Sequence, residues 1–238
     1  MCGRYVPPVE AAIEREWQLL KAVPQFPARW NVAPGAIVPM LRLHPETRAL
    51  EAVPARWGLI PHWWKDAKPP TGTFNARLEE AAAKPMWRDA IRRARCLVPA
   101  LGWYEWRKVE LPGIEGRAPR TVKQPYFIHR NDGALLGFAG LAAAWRPAPG
   151  ADWVMSCSIL TLPAAGALGA LHDRMPAALP RAAQDAWLSP DVKEGAAAAE
   201  LARSAVSVES LEHYRVSMRV NSALAEGPDL MEPVSIDE

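Results

Sequence analysis

Two predicted strands meet in residues 95–106, RCLVPALGWYEW. The stretch is apolar and rich in aromatic residues, a composition that favours strands. Side chains alternate across a strand, so Trp103 and Glu105 share one face and Tyr104 and Trp106 the other. The stretch therefore predicts a β-rich fold in which a carboxylate lies beside large aromatic rings.

The remaining predicted elements mix strands and helices without an internal repeat, and strands outnumber helices. The fold class is therefore predicted as α+β, a single domain over residues 1–238 with a curled, barrel-like, mainly antiparallel sheet flanked by helices. Turn composition predicts a mobile hairpin loop over 109–122, and we expect a flexible tail over 225–238. Strands are predicted at 37–43, 51–59, 96–100, 102–108, 125–130, 134–142, 153–161 and 214–220, and helices at 9–22, 79–94 (with a second segment from Pro85), 180–189 and 192–203.

Composition places the chain among cytoplasmic globular proteins. Its 238 residues are 50% hydrophobic and 23% charged, and no apolar run approaches the roughly 18 residues of a membrane span. The N-terminus lacks the apolar core of a secretory signal. Three widely spaced cysteines predict reduced thiols rather than a disulfide framework, with Cys96 and Cys157 as inert buried side chains. The cysteines and histidines show no metal-ligand spacing, so no metal and no cofactor are predicted.

Charge is unevenly distributed along the chain. Residues 185–238 carry 4 basic and 11 acidic side chains, and residues 1–184 carry 24 basic and 15 acidic ones. Arginine outnumbers lysine 21 to 7. Arginine binds phosphate in bidentate fashion and stacks on bases, which favours nucleic acid as a partner. A genome of high GC content gives the same bias, so charge alone leaves both interpretations open.

Cys2 offers the most specific chemistry of the sequence. Removal of Met1 would free an α-amine with a pKa near 8, part of which is neutral and nucleophilic at pH 7. An aldehyde that meets such a 1,2-aminothiol forms an imine, which the thiol then closes to a five-membered thiazolidine. The same residues also fit a frayed terminus with an incidental cysteine.

Three further side chains are candidates for proton transfer or positioning. Glu105 lies between large aromatics, and desolvation there would raise its pKa into the range of a general acid or base. His172 can move a proton near neutral pH. Asn75 offers both a donor and an acceptor to fix a nucleophile. Ordinary alternatives are an exposed edge-strand glutamate, a structural histidine and an Asx-turn.

Cations and aromatic rings supply candidate contacts for a nucleic acid. Arg77 and Arg174 lie beside Asn75 and His172 in the sequence and are placed to hold phosphates. Trp63 and Trp64 are adjacent, so both cannot face inward on one strand, and an exposed ring would stack on unpaired bases. Core packing and surface arginines explain the same residues equally well.

Taken together, these motifs resemble the SOS-response-associated peptidase family, also called SRAP or abasic-site processing proteins. They span nearly the whole chain in the family's order, and the ordered set is highly specific although each motif alone is weak. The matching stretches are Met1–Tyr5, Arg29–Gly35, Arg56–Pro61, Asn75–Arg77, Arg95–Ala100, Gly102–Trp106, Leu171–Pro176, Val216–Ser217 and Val220–Asn221.

The resemblance implies a role for each matching residue. Cys2 would be the cross-linking nucleophile, Asn75 would orient its amine, Glu105 would shuttle protons, and His172 would assist opening of the abasic sugar. Phosphates flanking the lesion would be held by Arg4, Arg77, Thr161 and Arg174, while Pro34 and one or both of Trp63 and Trp64 would separate or stack the neighbouring bases. The sequence departs from the family pattern at Glu79-Glu80, where Glu-Thr is common, and at Trp30, where Tyr is more usual.

The resemblance thus implies a DNA-damage response protein that senses abasic sites in single-stranded DNA and forms a thiazolidine cross-link. Associated AP-lyase and self-processing peptidase (hydrolase) activities are also implied. The expected protein is a monomer that needs no cofactor, lies in the cytoplasm, and joins the nucleoid when bound to DNA. Two alternatives stay open, a cysteine peptidase or amidohydrolase with other substrates and a single-stranded DNA-binding module without chemistry. Of the three hypotheses, only the cross-linking protein predicts a covalent adduct with an aldehyde.

Overall fold

The computed structural model describes residues 2–111 and 120–235. Helices in these residues are α1 (Glu10–Trp17), α2 (Leu78–Ala81), α3 (Arg88–Arg93), α4 (Arg181–Leu188) and α5 (Gly195–Arg203). The strands are β1 (Tyr5–Val6), β2 (Ile37–Leu43), β3 (Leu50–Trp57), β4 (Asn75–Arg77), β5 (Arg95–Ala100), β6 (Gly102–Leu111), β7 (Arg120–Arg130), β8 (Leu136–Trp145), β9 (Val154–Pro163), β10 (Arg174–Pro176), β11 (Ala178–Leu179) and β12 (Leu211–Arg215).

Strands β9, β3, β2, β5 and β8 pair in that order, and β8 pairs back to β9 to close a barrel. Most neighbours are antiparallel, whereas β3 runs parallel to β9 with Trp57 opposite Cys157. Closure leaves these five strands without a free edge, which satisfies their backbone groups within the sheet. The predicted α+β class with a barrel-like sheet is confirmed.

A second, antiparallel sheet has the order β1-β6-β7-β12 and carries the N-terminus. Tyr5 pairs with Trp103 of β6 and also forms a bridge with Val32, exchanging backbone hydrogen bonds of 3.2 and 3.0 Å. Because both sides of β1 are paired, the residues just before it have a fixed position in the fold. The chain start is therefore part of the structure rather than a frayed end.

The barrel interior is filled by aromatic side chains that also surround Cys2. Tyr5 packs edge-on against Trp57 with ring centroids 5.2 Å apart, and Trp103 packs edge-on against Phe138 at 5.9 Å. Such edge-to-face pairs stabilise a core beyond the area that they bury. Helices α2 to α5 cover the outside of the barrel through a second hydrophobic cluster. Among the described residues, none of the helices is both long and apolar enough to cross a bilayer.

Three sequence expectations need correction. The predicted strand at 214–220 is β12 followed by a 3₁₀ helix at Met218–Asn221, because the Ser217 hydroxyl accepts the Arg219 N–H and turns the chain. The loop predicted over 109–122 begins later and ends earlier, because the cross-strand pairing of β6 and β7 continues to residues 111 and 120. Residues 112–119 lie outside the described part of the chain.

The expected flexible tail over 225–238 is also corrected within the described residues. A 3₁₀ helix spans Pro228–Met231, Leu230 is fully buried, and the Tyr214 hydroxyl donates to the Met231 carbonyl at 2.9 Å. Burial of Leu230 stabilises the position of this segment against the rest of the fold. Residues 236–238 lie outside the described part of the chain.

Candidate active site

Cys2 is fully buried against the aromatic core of the barrel. Its carbonyl oxygen accepts a hydrogen bond of 2.7 Å from Nδ2 of Asn75. Burial is the main cause that raises the pKa of the Cys2 thiol well above its ordinary value, and the nearby Glu105 carboxylate raises it further. At neutral pH this sulfur is therefore a protonated thiol, not the thiolate of a typical cysteine nucleophile.

Asn75 reaches Cys2 because β4 lies against the barrel strand β9. Residues 75–77 pair in parallel with residues 159–161, which leaves the Asn75 side chain buried. Its Oδ1 has no hydrogen-bond partner among the residues that the structure describes. Buried amide oxygens are normally paired, so this atom is suited to accept an N–H from a group at the site. The surface Asx-turn that the sequence also allowed is wrong.

Glu105 is only 4% exposed and shares its strand face with Trp103, as strand alternation predicted. Desolvation by burial is the main cause that raises its pKa to about 7. At neutral pH the carboxyl group is thus divided between its protonated and ionised forms, which suits transfer of a proton in either direction. An exposed edge-strand glutamate, the ordinary alternative, is excluded by this burial.

His172 follows a short 3₁₀ helix at Gly166–Ala170, and its side chain is 30% exposed. Its Nδ1 accepts the backbone N–H of Arg174 at 3.0 Å and also lies 2.7 Å from Oδ1 of Asp173. These two contacts require opposite protonation of Nδ1. We favour the backbone contact for the neutral ring, because burial lowers the pKa of His172. The proton of neutral His172 is then on Nε2.

Glu105 and His172 line one open cavity of about 570 Å³. A deoxyribose with its flanking phosphates is a ligand of suitable size for such a space. All of its seven lining residues except Trp106 carry charged or polar side chains. The lining residues are Arg4, Glu105, Trp106, Lys108, Lys123, His172 and Asn221.

Arg4 lines the cavity, and hydrogen bonds within the protein fix the orientation of its guanidinium. One of its nitrogens donates to Asn31 Oδ1 and to the Val220 carbonyl, both at 3.0 Å. The guanidinium carbon lies 5.9 Å from the ring centre of Trp106. Asn31 is itself fully buried and donates to the Ser222 carbonyl at 2.8 Å. Arg4 is thus oriented towards the cavity with part of its donor capacity still free for a phosphate.

Two of the four predicted phosphate ligands are buried away from solvent. Thr161 is fully buried, and its hydroxyl donates to the Ala76 carbonyl at 3.4 Å. Arg174 forms a bidentate ion pair with Glu79 at 2.8 and 2.9 Å and also donates to the Thr161 carbonyl. In this conformation neither side chain is accessible to a phosphate, because both are buried and the terminal nitrogens of Arg174 are paired with Glu79 and Thr161. Arg77 is exposed, as its predicted role requires.

The two tryptophans expected to stack on bases lie away from the cavity. The Trp64 carbonyl accepts a hydrogen bond of 2.7 Å from Trp145, at the far end of β8. Trp145 pairs with Val154, five residues along β9 from the partner of Asn75, a separation of roughly 17 Å at the usual strand rise. Trp63 is 42% exposed, which confirms that one ring of the pair faces solvent.

Pro34 is exposed in a turn that Gly35 closes with a φ of 94°. A positive φ is readily adopted by glycine, so the turn depends on that residue. The Gly35 N–H donates to the Trp57 carbonyl at 2.7 Å, which fixes the turn against the barrel. Pro34 does not belong to the cavity lining, and its proposed role between bases stays a prediction.

Several residues that line the cavity or hold its side chains in place were not among the predicted site residues. Strand alternation places Lys108 on the face of Trp106, and this signal was readable from the sequence. The contact of Trp106 Nε1 with Asn221 Oδ1 at 2.5 Å joins residues 115 positions apart, and no local pattern encodes it. The missed residues are Asn31, Trp106, Lys108, Lys123 and Asn221.

Comparison with known proteins gives a consistent result. The family model described as "SOS response associated peptidase (SRAP)" matches residues 1–223. The chain is 32% identical to abasic site processing protein YedK of Escherichia coli (strain K12), covering 98% of this chain and all of YedK. It is 30% identical to abasic site processing protein YoqW of Bacillus subtilis (strain 168), covering 98% of this chain and 99% of YoqW.

Solved structures agree on the fold. A Bacteroides thetaiotaomicron protein superposes with a TM-score of 0.78 at 22% identity, covering 98% of this chain and 100% of that chain. A phage-related protein from Bordetella bronchiseptica superposes with a TM-score of 0.66 at 32% identity, covering 90% of this chain and 94% of that chain. The barrel with its attached sheet is therefore an arrangement that these proteins share.

Proposed function

The chain belongs to the SOS response associated peptidase (SRAP) family, and on this premise we propose that it cross-links itself to abasic sites in single-stranded DNA through Cys2. The relatives named above are called abasic site processing proteins, which supports a role in the response to DNA damage. Removal of Met1 would expose the reacting amine. We further propose that the protein acts as a monomer in the cytoplasm, where it reaches the nucleoid.

One observation supports this proposal more than any other. Asn75 donates a hydrogen bond of 2.7 Å to the Cys2 carbonyl. The Glu105 carboxyl lies near enough to raise the pKa of the Cys2 thiol, and its own pKa is about 7. A fixed aminothiol beside a proton carrier is what imine and thiazolidine formation require. The unpaired Oδ1 of Asn75 supplies an acceptor that suits an N–H of the freed Cys2 amine.

The raised pKa of the thiol sets the order of the bond-forming steps. The amine adds first to the aldehyde carbon, and the resulting hydroxyl leaves as water with a proton from Glu105. The thiol sulfur then bonds to the same carbon and releases its proton to the Glu105 carboxylate. The sequence of steps forms one C–N and one C–S bond, expels one water, and returns Glu105 to its starting state.

His172 serves the step that precedes imine formation. An abasic sugar is mainly a closed hemiacetal, so its ring must open before an aldehyde exists. With Nδ1 accepting the Arg174 N–H, the neutral ring presents its proton on Nε2. That proton can go to the ring oxygen as the C–O bond breaks, which makes His172 a general acid for opening.

Strand cleavage is the competing outcome of the same imine. If the thiol does not add, loss of a proton from the carbon next to the imine expels the 3′ phosphate by β-elimination. This accounts for the lyase activity that we propose beside cross-linking. Closure by a thiol already held next to the imine carbon favours the cross-link over cleavage.

Peptidase activity on foreign substrates is the second candidate, and the geometry of Cys2 argues against it. A thiol with a raised pKa provides little thiolate, whereas cysteine peptidases depend on an activated thiolate. Hydrolysis restricted to the chain's own Met1–Cys2 bond remains compatible with the site. The third candidate is a DNA-binding module without chemistry. Such a module does not need a buried carboxyl group and a buried amide next to Cys2.

A denaturing gel separates these three candidates. The protein is incubated with matched oligonucleotides that contain an abasic site or an intact base, and covalent complexes are counted. We expect a heat-stable shift with the abasic strand only, and its loss in Cys2→Ala. The matched control is Cys157→Ala, which removes another fully buried thiol and should keep the shift. If the wild-type protein forms no covalent complex with the abasic oligonucleotide, the proposal is rejected.

A further inference from the structure

Lys108 and Lys123 face each other on the hairpin formed by β6 and β7. They occupy directly opposed positions in the antiparallel register, and both side chains are exposed. Opposed residues of an antiparallel pair have Cβ atoms about 4.5–5.5 Å apart. Two like charges at this spacing destabilise the hairpin, so the pair has an energetic cost in the free protein.

Local carboxylates do not offset this charge. Within residues 2–111 and 120–235, no Asp or Glu oxygen lies within 4.0 Å of either ammonium group. Elsewhere such pairs are present, as between Lys84 and Glu80. Glu110 follows on the same strand face as Lys108 but is paired across the hairpin with Thr121. The two lysines therefore form a local concentration of positive charge.

The lysine pair also borders the cavity that contains Glu105 and His172. Lys108 comes two residues after Trp106 on the same strand face, about 7 Å further along β6. The Arg4 guanidinium lies over the Trp106 ring. Arg4, Trp106 and the lysine pair therefore follow one another along one face of the hairpin. This face leads from the cavity outwards along the hairpin.

We propose that Lys108 and Lys123 together form a subsite for one phosphodiester of the DNA strand as it leaves the cavity. The inference rests on the proposed function in one respect, because that function brings a DNA strand through the cavity beside Cys2. Ammonium groups on flexible stems hold a phosphate as point charges and without reading base sequence. A bound phosphate would also remove the repulsion between the two lysines, which adds to its affinity.

Binding measurements on an intact single-stranded oligonucleotide test the subsite without any covalent step. Fluorescence anisotropy at several salt concentrations is carried out in the Cys2→Ala background, with Lys108→Gln and Lys123→Gln singly and together. Each phosphate contact contributes about 0.7 to the slope of log K against log salt on a single strand. Since both lysines hold one phosphate, the double variant should flatten the slope by about 0.7, not by about 1.4.

Two controls make the result specific. Lys21→Gln removes an exposed lysine after α1 and should leave the slope unchanged. Lys108→Arg with Lys123→Arg keeps both charges and should restore the slope. A slope unchanged in the double glutamine variant, or flattened equally by Lys21→Gln, overturns the subsite.

The proposed function is assessed separately by adduct formation of the wild-type protein on an abasic strand. A slope flattened by about 0.7 in the double glutamine variant, together with no wild-type adduct, would retain the subsite and reject the cross-linking chemistry. A normal wild-type adduct together with an unchanged slope in the double glutamine variant would retain the cross-linking chemistry and reject the subsite.

Discussion

Nδ2 of Asn75 donates a hydrogen bond of 2.7 Å to the carbonyl oxygen of Cys2, across 73 residues of sequence. The bond fixes the first peptide unit after the proposed nucleophile, so the direction of its amine is set by the barrel and not by chain-end motion. Because β4 is paired with β9, Asn75 is itself rigid. This contact therefore joins the N-terminal segment of the chain to its core.

Asn75→Ala should slow cross-linking by about tenfold to a hundredfold at saturating DNA. The change removes the donor and leaves the buried Cys2 carbonyl unpaired, which costs about 1–3 kcal/mol. Single-turnover rates of adduct formation measure the effect. Asn131→Ala is the matched control, since it removes an exposed asparagine that donates to the Glu209 carbonyl at 3.2 Å. Equal rates for the two variants would show that Asn75 does not position Cys2.

Cross-linking should have a bell-shaped pH dependence with its maximum between about pH 7 and 8. The rising limb reflects the amine, which is nucleophilic only when neutral and has an ordinary pKa near 8. The falling limb reflects Glu105, whose pKa of about 7 means that the proton needed to expel water is lost above that pH. Glu105→Gln should be slower by about 10²–10⁴ and should lack the falling limb. A variant that retains the falling limb would assign it to another group.

Glu105 should also make the folded protein less stable as the pH rises. The folded-state pKa of about 7 lies above the ordinary value of 4.5, so between these values the folded chain holds a proton that the unfolded chain releases. The stability from the protonated carboxyl is complete below pH 4.5 and is lost as the pH rises through about 7. Glu105→Gln should therefore raise the free energy of unfolding by about 1–3 kcal/mol at pH 8 and change it little at pH 4. Thermal melts at the two pH values check this, and a gain of equal size at both would contradict the raised pKa.

Much of the fold could be predicted because strands and helices follow local patterns. The bounds of β2 match the predicted 37–43, and alternation placed Glu105 on the buried face correctly. Helix α1 ends earlier than predicted, at Trp17, because Gln18 adopts a left-handed conformation with a φ of 50°. Element ends depend on such single-residue conformations, which hydrophobic periodicity does not report.

The site could be predicted less completely because its contacts join distant parts of the chain. Arg174 and Glu79 are 95 positions apart, and nothing in either motif indicates that the two residues pair. The sequence therefore assigned Arg174 to a phosphate, although its guanidinium is buried against a carboxylate. Trp63 and Trp64 were likewise grouped with the site by resemblance, while the fold places Trp64 beside Trp145 and packs the Trp63 ring against that of Trp64.

Arg77 and Arg174 should respond differently to truncation. Arg77→Ala should flatten the slope of log K against log salt by about 0.7 with little change in stability, because the side chain is exposed. Arg174→Ala should keep the slope and lower the free energy of unfolding by about 1–3 kcal/mol, because Glu79 and Thr161 lose their partner. Salt titrations and chemical denaturation separate the two effects. A flattened slope with unchanged stability for Arg174→Ala would restore it as a phosphate ligand.

The most direct test of the central claim is the intact mass of the protein–DNA adduct before and after borohydride treatment. Imine and thiazolidine both form with loss of one water, but only the imine takes up two hydrogens on reduction. We expect an adduct whose mass equals the chain without Met1 plus the abasic strand less one water, unchanged by borohydride. Cys2→Ala should give an adduct only with borohydride, carrying the two added hydrogens. A wild-type adduct that retains Met1, or one that gains two hydrogens on reduction, would contradict the thiazolidine at Cys2.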